Sequence, residues 1–326
     1  MELTLLPFPL LTVAIPTLSR LGYLREALES ALAQDYPTFE VLVSNDGEDE
    51  AIRRYMHRMV ETSDRIRYVE TPGRLGLSGN WNWCADHASG THLVIIGDDD
   101  RLLPTFLSCL APHTATSDVA FCNHFLIDEG GHRRANSEQE LAVYGRGLLK
   151  TGPVQEPERM AWMNAVAPSA TLVRTALVRT LRFNPDLNTP ELEFYVRAAY
   201  AGASFFFDSR SLSEYRTHPG AETARGLWFD RLLFALLKVQ ASTPAGVDAR
   251  RSQLRSVART AALRALASGR VDVARAVLRT GFVQPRSLHL ALEIVARSGS
   301  LAPGFIAMGR AFRRLTRRLP RRERPR

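Results

Sequence analysis

A chain of 326 residues, 45% hydrophobic and 23% charged, is long enough for one large domain with an extension, and its composition excludes collagen-like, disordered and disulfide-scaffold classes. Three cysteines (Cys84, Cys109, Cys122) lie in apolar contexts without CxxC spacing, which predicts buried thiols in a reducing compartment, neither bridges nor zinc ligands. The formal net charge of +8 is carried by residues 310–326, nine arginines against one glutamate, so residues 1–309 are formally neutral and the basic balance belongs to a tail.

The N-terminal MELTLLPFPLLTVAIPT is apolar but holds three prolines and no basic leader, so it reads as the lead-in to a first strand, LLTVAIP, and not as a signal peptide. That unbroken apolar run predicts a strand buried on both faces. LGYLREALESALAQ follows with Leu24, Ala27, Leu28, Ala31 and Leu32 at helical spacing, and Pro37 lies beyond its end. FEVLVSND is a second strand, EAIRRYMHRMVE a polar-faced helix, IRYVET a third strand and NWNWCADHA a helix. THLVIIG is the fourth strand, a helix is expected near 105–110, and DVAFCNHFLID is a further strand. Strands alternating with helices predict an α/β fold, a mostly parallel sheet with helices on both faces.

Residues 129–165 read as loop and irregular structure, LEFYVRAAYAG as helix, ASFFFD as strand and SEYRTHPGAETA as loop. Beyond Leu227 the pattern is helical, with two short helices divided by Gly269 and closed by Gly281. The expected domains are residues 1–225, α/β, and residues 226–326, a helical extension. No apolar run reaches the roughly 18 residues of a membrane span, and the expected location is cytoplasmic.

In an open parallel sheet, ligands bind at the carboxyl ends of the strands. Pro16-Thr17, Asn45-Asp46-Gly47 and Asp98-Asp99-Asp100 all fall there. Each alone reads equally as a turn or a helix cap; their coincidence at one edge points to a site. No GxGxxG or GxxxxGK[ST] is present to cradle phosphates, so a nucleotide here needs a metal held on carboxylates. Adjacent aspartates are hard oxygen ligands for Mg²⁺ or Mn²⁺, and a divalent cation is the expected answer to their mutual repulsion.

VAIPTLSRLGYLREALESALAQDYPTFEVLVSNDG, RLGLSGNWNWCADHASGTHLVIIGDDDRLLP, PELEFYVRAAYAG and YRTHPG, in that order over residues 10 to 220, resemble the family 2 glycosyltransferases. These are inverting enzymes of the GT-A fold. The resemblance implies transfer of a sugar from a UDP- or dTDP-linked donor to a glycan or lipid-linked acceptor, in bacterial surface polysaccharide or glycolipid synthesis. It assigns Pro16 and Thr17 to the nucleobase pocket, Asp46 to the base, Asp98 to the ribose and Asp99 to the metal, with Asp100 completing the cluster. The family's usual motif begins one residue earlier with aspartate, where this chain has Gly97, so the division of labour among the three aspartates stays open. Arg197 matches a family arginine, which puts Glu191 at the catalytic-base position and Pro190 where a glutamate usually stands; Glu193 is a substitute candidate. Arg216 and His218 match a late motif near the diphosphate, Arg216 for phosphate and His218 for metal or phosphate. Arg74 and Asn80 are further nucleotide candidates, Asn80 equally a helix cap. Trp81, Trp83 and Phe205–Phe207 read as core. Trp162 lies in a segment that shapes the family's acceptor site, with core packing as its plainer use.

In the tail, Phe305, Met308, Phe312, Leu315 and Leu319 alternate with arginines as a basic amphipathic helix. This suits an anionic membrane surface and hence a peripheral location; a core-docked helix with solvated arginines is the competing reading. No recognised module supports nucleic acid as a partner. Two rival functions stand beside the transferase: a sugar-1-phosphate nucleotidyltransferase, whose Gly- and Arg-rich first loop IPTLSRLGYL does not supply, and a non-catalytic binding protein on the same fold.

Overall fold

The computed structural model describes residues 8–135, 137, 144–222, 226, 228–285, 289–290 and 292–293. The tail helix expected from Ala302 onward lies outside them. The chain forms two compact units, one from the residues up to Leu227 with Lys238–Arg250, the other from Trp228–Leu237 and the residues from Arg251.

The first unit is built on a nine-stranded sheet. Its strands are β1 (Leu11–Thr17), β2 (Phe39–Asn45), β3 (Ile66–Glu70), β4 (His92–Ile95), β5 (Arg101–Leu102), β6 (Val119–Ile127), β7 (Gly152–Pro153), β8 (Thr171–Arg174) and β9 (Phe205–Arg216). They lie in the order β3-β2-β1-β4-β8-β6-β9-β5, with β7 on β9. β3, β2, β1 and β4 are mutually parallel. β8 runs antiparallel between β4 and β6, so the sheet is parallel in one half and mixed in the other. Helices α1 (Leu21–Leu32), α2 (Glu50–Val60), α3 (Gly76–His87), α4 (Phe106–Leu110), α5 (Pro157–Trp162), α6 (Thr175–Leu181) and α7 (Glu191–Tyr200) connect the strands.

β1 and β2 are apolar because both faces are covered, as parallel strands require. α1 turns Leu24, Ala27, Leu28 and Ala31 onto the sheet, and α2 adds Ile52 and Met56. α3 buries a polar face instead: Ser78, Asn80, Asn82, Cys84 and Ala85. Those side chains hold partners from elsewhere in the chain. Ser78 Oγ donates to the Leu187 carbonyl at 2.6 Å. Asn82 pairs with both backbone groups of Phe183, each at 2.8 Å. α3 thereby fixes the segment that leads into α7.

The sequence expectations fail in three places for identifiable reasons. SEYR, read as loop, is the end of β9. Its two charged residues sit at buried strand positions because each is ion-paired: Glu214 with Arg101 and Arg133, Arg216 with Glu26. β8 and α6 carried no expectation, because four residues of strand leave no period to read. Residues 129–165, read as irregular, contain α5 and β7.

In the second unit, α8 (Phe229–Leu237), the part of α9 (Pro244–Ala267) from Arg251 and α10 (Val271–Arg279) form a helical layer. Gly269 and Gly281 follow α9 and α10 with φ of 73° and 74°, the left-handed geometry that ends a helix. The first of the two expected short helices is the end of the 24-residue α9. Among the described residues no helix is long and apolar enough to cross a membrane.

Asn82→Ala strands a buried N–H and a buried C=O of Phe183. Denaturant unfolding of this variant is expected to show a loss of about 2–3 kcal/mol; a loss below about 0.5 kcal/mol contradicts the strut role of α3.

Candidate active site

The parallel strands end in register, Thr17 beside Asn45 and Asn45 beside Glu70. Extending the β1–β4 pairing past Ala14 and Ile95 brings Asp98 next to Thr17, and Thr17 Oγ1 donates to Asp98 Oδ2 at 2.7 Å. Gly47 follows β2 so closely against the β1 edge that a Cβ there would sit 2.2 Å from the Leu18 carbonyl oxygen. The edge is therefore narrow and built from backbone.

Asp98 is 1% exposed and Asp99 lies beside it. The positive charge between them is Arg20, the residue just before α1. One guanidinium nitrogen, Nη2, pairs with Asp98 Oδ1, and the other, Nη1, donates to Asp99 Oδ2 at 2.6 Å. Burial opposes the Arg20 charge, but Asp98, Asp99 and Asp100 outweigh it and raise its pKa further. Burial likewise pushes Asp98 up, with Arg20 and Thr17 pulling against it. A divalent cation is the expected offset for the aspartates; the chain also carries a cation of its own there, Arg20. Arg20 was the residue missed, although an arginine directly after a first strand at the ligand edge is a usable signal.

His218 Nε2 lies 2.9 Å from Asp99 Oδ2 and 3.2 Å from Arg20 Nη1, and its ring packs against Tyr23 at 5.0 Å. Thr17, Arg20, Asp98, Asp99 and His218 thus converge. Asp100 does not join them. It is 4% exposed, accepts from the Arg216 N–H at 2.9 Å and faces Ser169. Burial, reinforced by Asp99, holds its carboxyl well above the usual range. Among the described residues no three His, Cys, Asp or Glu side chains form a metal-binding group, so the expected ligand set of Asp99, Asp100 and His218 reduces to the pair Asp99 and His218. Asp99 Oδ2 and His218 Nε2 lie 2.9 Å apart; a carboxylate oxygen is a donor that suits Mg²⁺ or Mn²⁺, and an imidazole nitrogen is a metal-ligating group.

Gly97 occupies the position where aspartate is usual. A Cβ there would lie 2.4 Å from Asp99 Oδ1, so the absent side chain makes room for the Asp99 carboxylate to fold back over the loop.

Arg216 is corrected from phosphate partner to strut. It is 1% exposed. Nε donates to the Asp99 carbonyl at 2.7 Å, Nη1 to the Glu129 carbonyl at 3.1 Å and Nη2 to Glu26 Oε2 at 2.6 Å. It holds the aspartate loop from behind. Asn80 lies inside α3, not at its start, and is spent on Ser44: Oδ1 accepts from Oγ, and Nδ2 donates to the carbonyl at 3.1 Å. Asp46 takes Thr71 Oγ1, Leu75 N and Gly76 N at 2.9, 2.7 and 2.8 Å, which fixes the loop entering α3. Pro16 is in β1, in register with Ser44 of β2. Arg74 is exposed on the same loop and makes no hydrogen bond or ion pair to a described residue. Trp162 is core, 1% exposed.

Glu191 opens α7 behind Pro190. It is half-buried, its carboxyl pairs with no other described side chain, and burial, opposed by its own backbone N–H, raises its pKa from 4.5 to about 7. Glu193 is the contrast. Its carboxylate is taken by Arg197 Nε and Nη2, both at 2.8 Å, which removes it as a substitute base. The segment before Glu191 is held by Ser78 at Leu187 and by Asn188, which donates to Glu222 Oε1 at 3.3 Å and to the Gly226 carbonyl at 3.0 Å. Glu222 follows the turn closed by Ala221 N and the His218 carbonyl. α3 and the turn after His218 therefore bracket the approach to Glu191.

Residues 12–175 match glycosyl transferase family 2. The GalNAc(5)-diNAcBac-PP-undecaprenol beta-1,3-glucosyltransferase of Campylobacter jejuni is 27% identical over 199 residues, 61% of this chain and 62% of that protein. Glycosyltransferase GlyA of Streptococcus pneumoniae is 22% identical over 234 residues, 70% of this chain and 33% of that protein. The chain thus spans less than two thirds of either relative. Among solved structures, S. aureus TarS 1–349 in complex with UDP-GlcNAc aligns with TM-score 0.66 at 16% identity, covering 93% of this chain and 91% of that one. The mannosyltransferase PcManGT from Pyrobaculum calidifontis, in complex with GDP-Man and Mn²⁺, aligns with TM-score 0.56 at 20% identity, covering 91% and 88%. These likenesses establish the GT-A fold.

Arg216→Met removes the strut behind the aspartate loop. The expected loss of unfolding free energy is about 3 kcal/mol or more. A variant as stable as the parent in denaturant would return Arg216 to the list of ligand contacts.

Proposed function

The chain belongs to glycosyl transferase family 2, and from that premise we propose that it is an inverting transferase that moves a sugar from a UDP- or dTDP-linked donor to a hydroxyl of a lipid-linked glycan. The observation that carries this reading is the pairing of two features: a cation-lined aspartate edge made by Thr17, Arg20, Asp98, Asp99 and His218, and one carboxyl, Glu191, that has no ion pair among the described residues and is raised to about 7. The nucleotidyltransferase and non-catalytic alternatives give way to the family membership.

Asp98 orients the ribose, Asp46 and Arg74 border the base, and Pro16 and Thr17 floor its pocket. Asp99 and His218 would hold a divalent ion beside the diphosphate. When bound, Mn²⁺ or Mg²⁺ supplies charge stabilisation to the departing diphosphate. Arg20 is a second donor for the same oxygens once released from the aspartates. Glu191 takes the proton from the acceptor hydroxyl as the oxygen attacks the anomeric carbon and the carbon–oxygen bond to the nucleoside diphosphate breaks. A base near 7 is half deprotonated at neutral pH, which is where proton abstraction and basicity are best balanced. The name of the C. jejuni relative carries an undecaprenol-linked glycan, which supports a lipid-linked acceptor and, with the basic tail, a site of action at an anionic membrane surface. The division of residues 1–225 as catalytic domain and 226–326 as helical extension is part of the same reading.

Glu191→Gln is expected to lower kcat by about a hundredfold or more while leaving calorimetric nucleotide affinity unchanged; full activity removes Glu191 from the mechanism. In the parent, kcat/KM should rise with pH through about 7, and the limb should vanish with the residual activity of the variant. The same group sets a stability test. Its folded pKa lies above its ordinary value, so the folded chain holds the proton more tightly, and stability falls as pH rises from 4.5 to about 7. Glu191→Gln should therefore raise Tm at pH 8 and not at pH 4; the opposite order would count against burial as the cause. Asp99→Asn should weaken Mn²⁺-dependent nucleotide binding in calorimetry, and an unchanged affinity with and without Mn²⁺ refutes Asp99 as a metal ligand.

A further inference from the structure

Two arginines are buried among the described residues, Arg216 and Arg146, and their surroundings differ in kind. Arg216 pairs with Glu26 and with backbone carbonyls. Arg146, 5% exposed, begins the short turn Arg146–Leu148. Its Nε donates to the Ala165 carbonyl at 2.6 Å and its Nη1 to His124 Nδ1 at 2.9 Å. It forms no ion pair with a described residue, and its Nη2 makes no hydrogen bond to one. Interior guanidinium groups are ordinarily paired, since an uncompensated buried charge is strongly unfavourable.

The neighbours add no negative charge and leave one polar atom over. Burial, with Arg146 adding to it, pushes His124 well below its ordinary value, so the imidazole is neutral and its Nδ1 accepts. Burial lowers Arg146 to about 10, which leaves it cationic at neutral pH. Ser213, the register partner of His124 across β6 and β9, buries a hydroxyl that has no hydrogen-bond partner. The loop that starts at Ala165 leads to Ser169, which faces Asp100, and Cys122 Sγ donates to the Ala170 carbonyl in that loop. The cluster therefore adjoins the aspartate loop without sharing its residues.

We propose that Arg146, together with the Ser213 hydroxyl beside His124, is a binding site for an oxyanion, a phosphate or a carboxylate, carried by the acceptor. The assignment to the acceptor rests on the transferase reading; the oxyanion site does not. A guanidinium with Nη2 uncommitted and a hydroxyl donor is the pairing that such oxygens take, and the ligand supplies the counter-charge that the described residues do not.

Thermal unfolding of the full chain is followed while inorganic phosphate, and separately acetate, is titrated at constant ionic strength. One of the two should raise the Tm of the parent saturably, which also identifies the class of oxyanion. Arg146→Met should need at least about tenfold more anion for half the shift. No saturable shift in the parent, or an equal shift in both proteins, overturns the proposal. If Arg146→Met does not fold, Ser213→Ala decides in its place: a weakened response supports the site and an unchanged one overturns it. None of these measurements requires glycosyl transfer, so they fail or succeed independently of the activity.

Discussion

Two aspartates on adjacent residues at a strand edge, one of them almost wholly buried, repel each other and each loses hydration; the rest of the site depends on how that cost is met. Arg20 meets it by placing one guanidinium nitrogen on each carboxylate. A planar fork suits two separate carboxylates better than a lysine point charge does. The arrangement also brings His218 into contact with both Asp99 and Arg20, so four ionisable groups from three parts of the chain are fixed together before any ligand arrives. On the proposed reading, a divalent ion and a diphosphate would meet an existing ion-pair network here and not a bare acidic pocket, and Arg20 would be the chain's own cation for the diphosphate oxygens.

The aspartate loop is held from two sides. Toward the sheet, Thr17 fixes Asp98 and the absence of a side chain at Gly97 admits Asp99. From behind, Arg216 collects the Asp99 carbonyl, Glu26 and the Glu129 carbonyl while its own N–H anchors Asp100. The three aspartates therefore divide between two tasks: Asp98 and Asp99 face the convergence of charges, and Asp100 fastens the loop to β9. A displaced acidic motif remains workable because one of its members has become structural.

What the sequence made legible follows from the physics of each signal. The apolar runs of β1, β2 and β4 and the periodic face of α1 are long enough to read, and the three polar clusters at their carboxyl ends located the site. Contacts between distant segments were not readable. SEYR in β9 looks like loop because its charges are conspicuous, and only the fold shows that each has a partner. Arg20 looks like a helix-leading basic residue until Asp98 and Asp99 are brought to it from about eighty residues away. Asn80 and Arg216 were legible as polar residues in an ordered motif, but whether such a residue faces ligand or scaffold is decided by neighbours that spacing does not name. Glu191 and Glu193 could be separated only by seeing which of them Arg197 takes.

That last distinction generalises across the first unit. Structural charges here are spent: Glu193 on Arg197, Arg216 on Glu26, Glu214 on Arg101 and Arg133, Asp208 on Arg210. Glu191 and Arg146, of opposite sign, are not spent on a charge among the described residues, and burial is the main cause that moves each off its ordinary pKa. Leaving such groups unpaired costs stability. Both lie on segments tied to the aspartate loop or to the approach beside it, α7 through α3 and the turn after His218, Arg146 through Ala165 and the loop to Ser169. A carboxyl that must accept a proton cannot be committed to an arginine beforehand, and a guanidinium that must hold an incoming anion cannot be committed to a resident carboxylate. On the proposed reading, the pair is what a site for an incoming hydroxyl on an anionic chain requires.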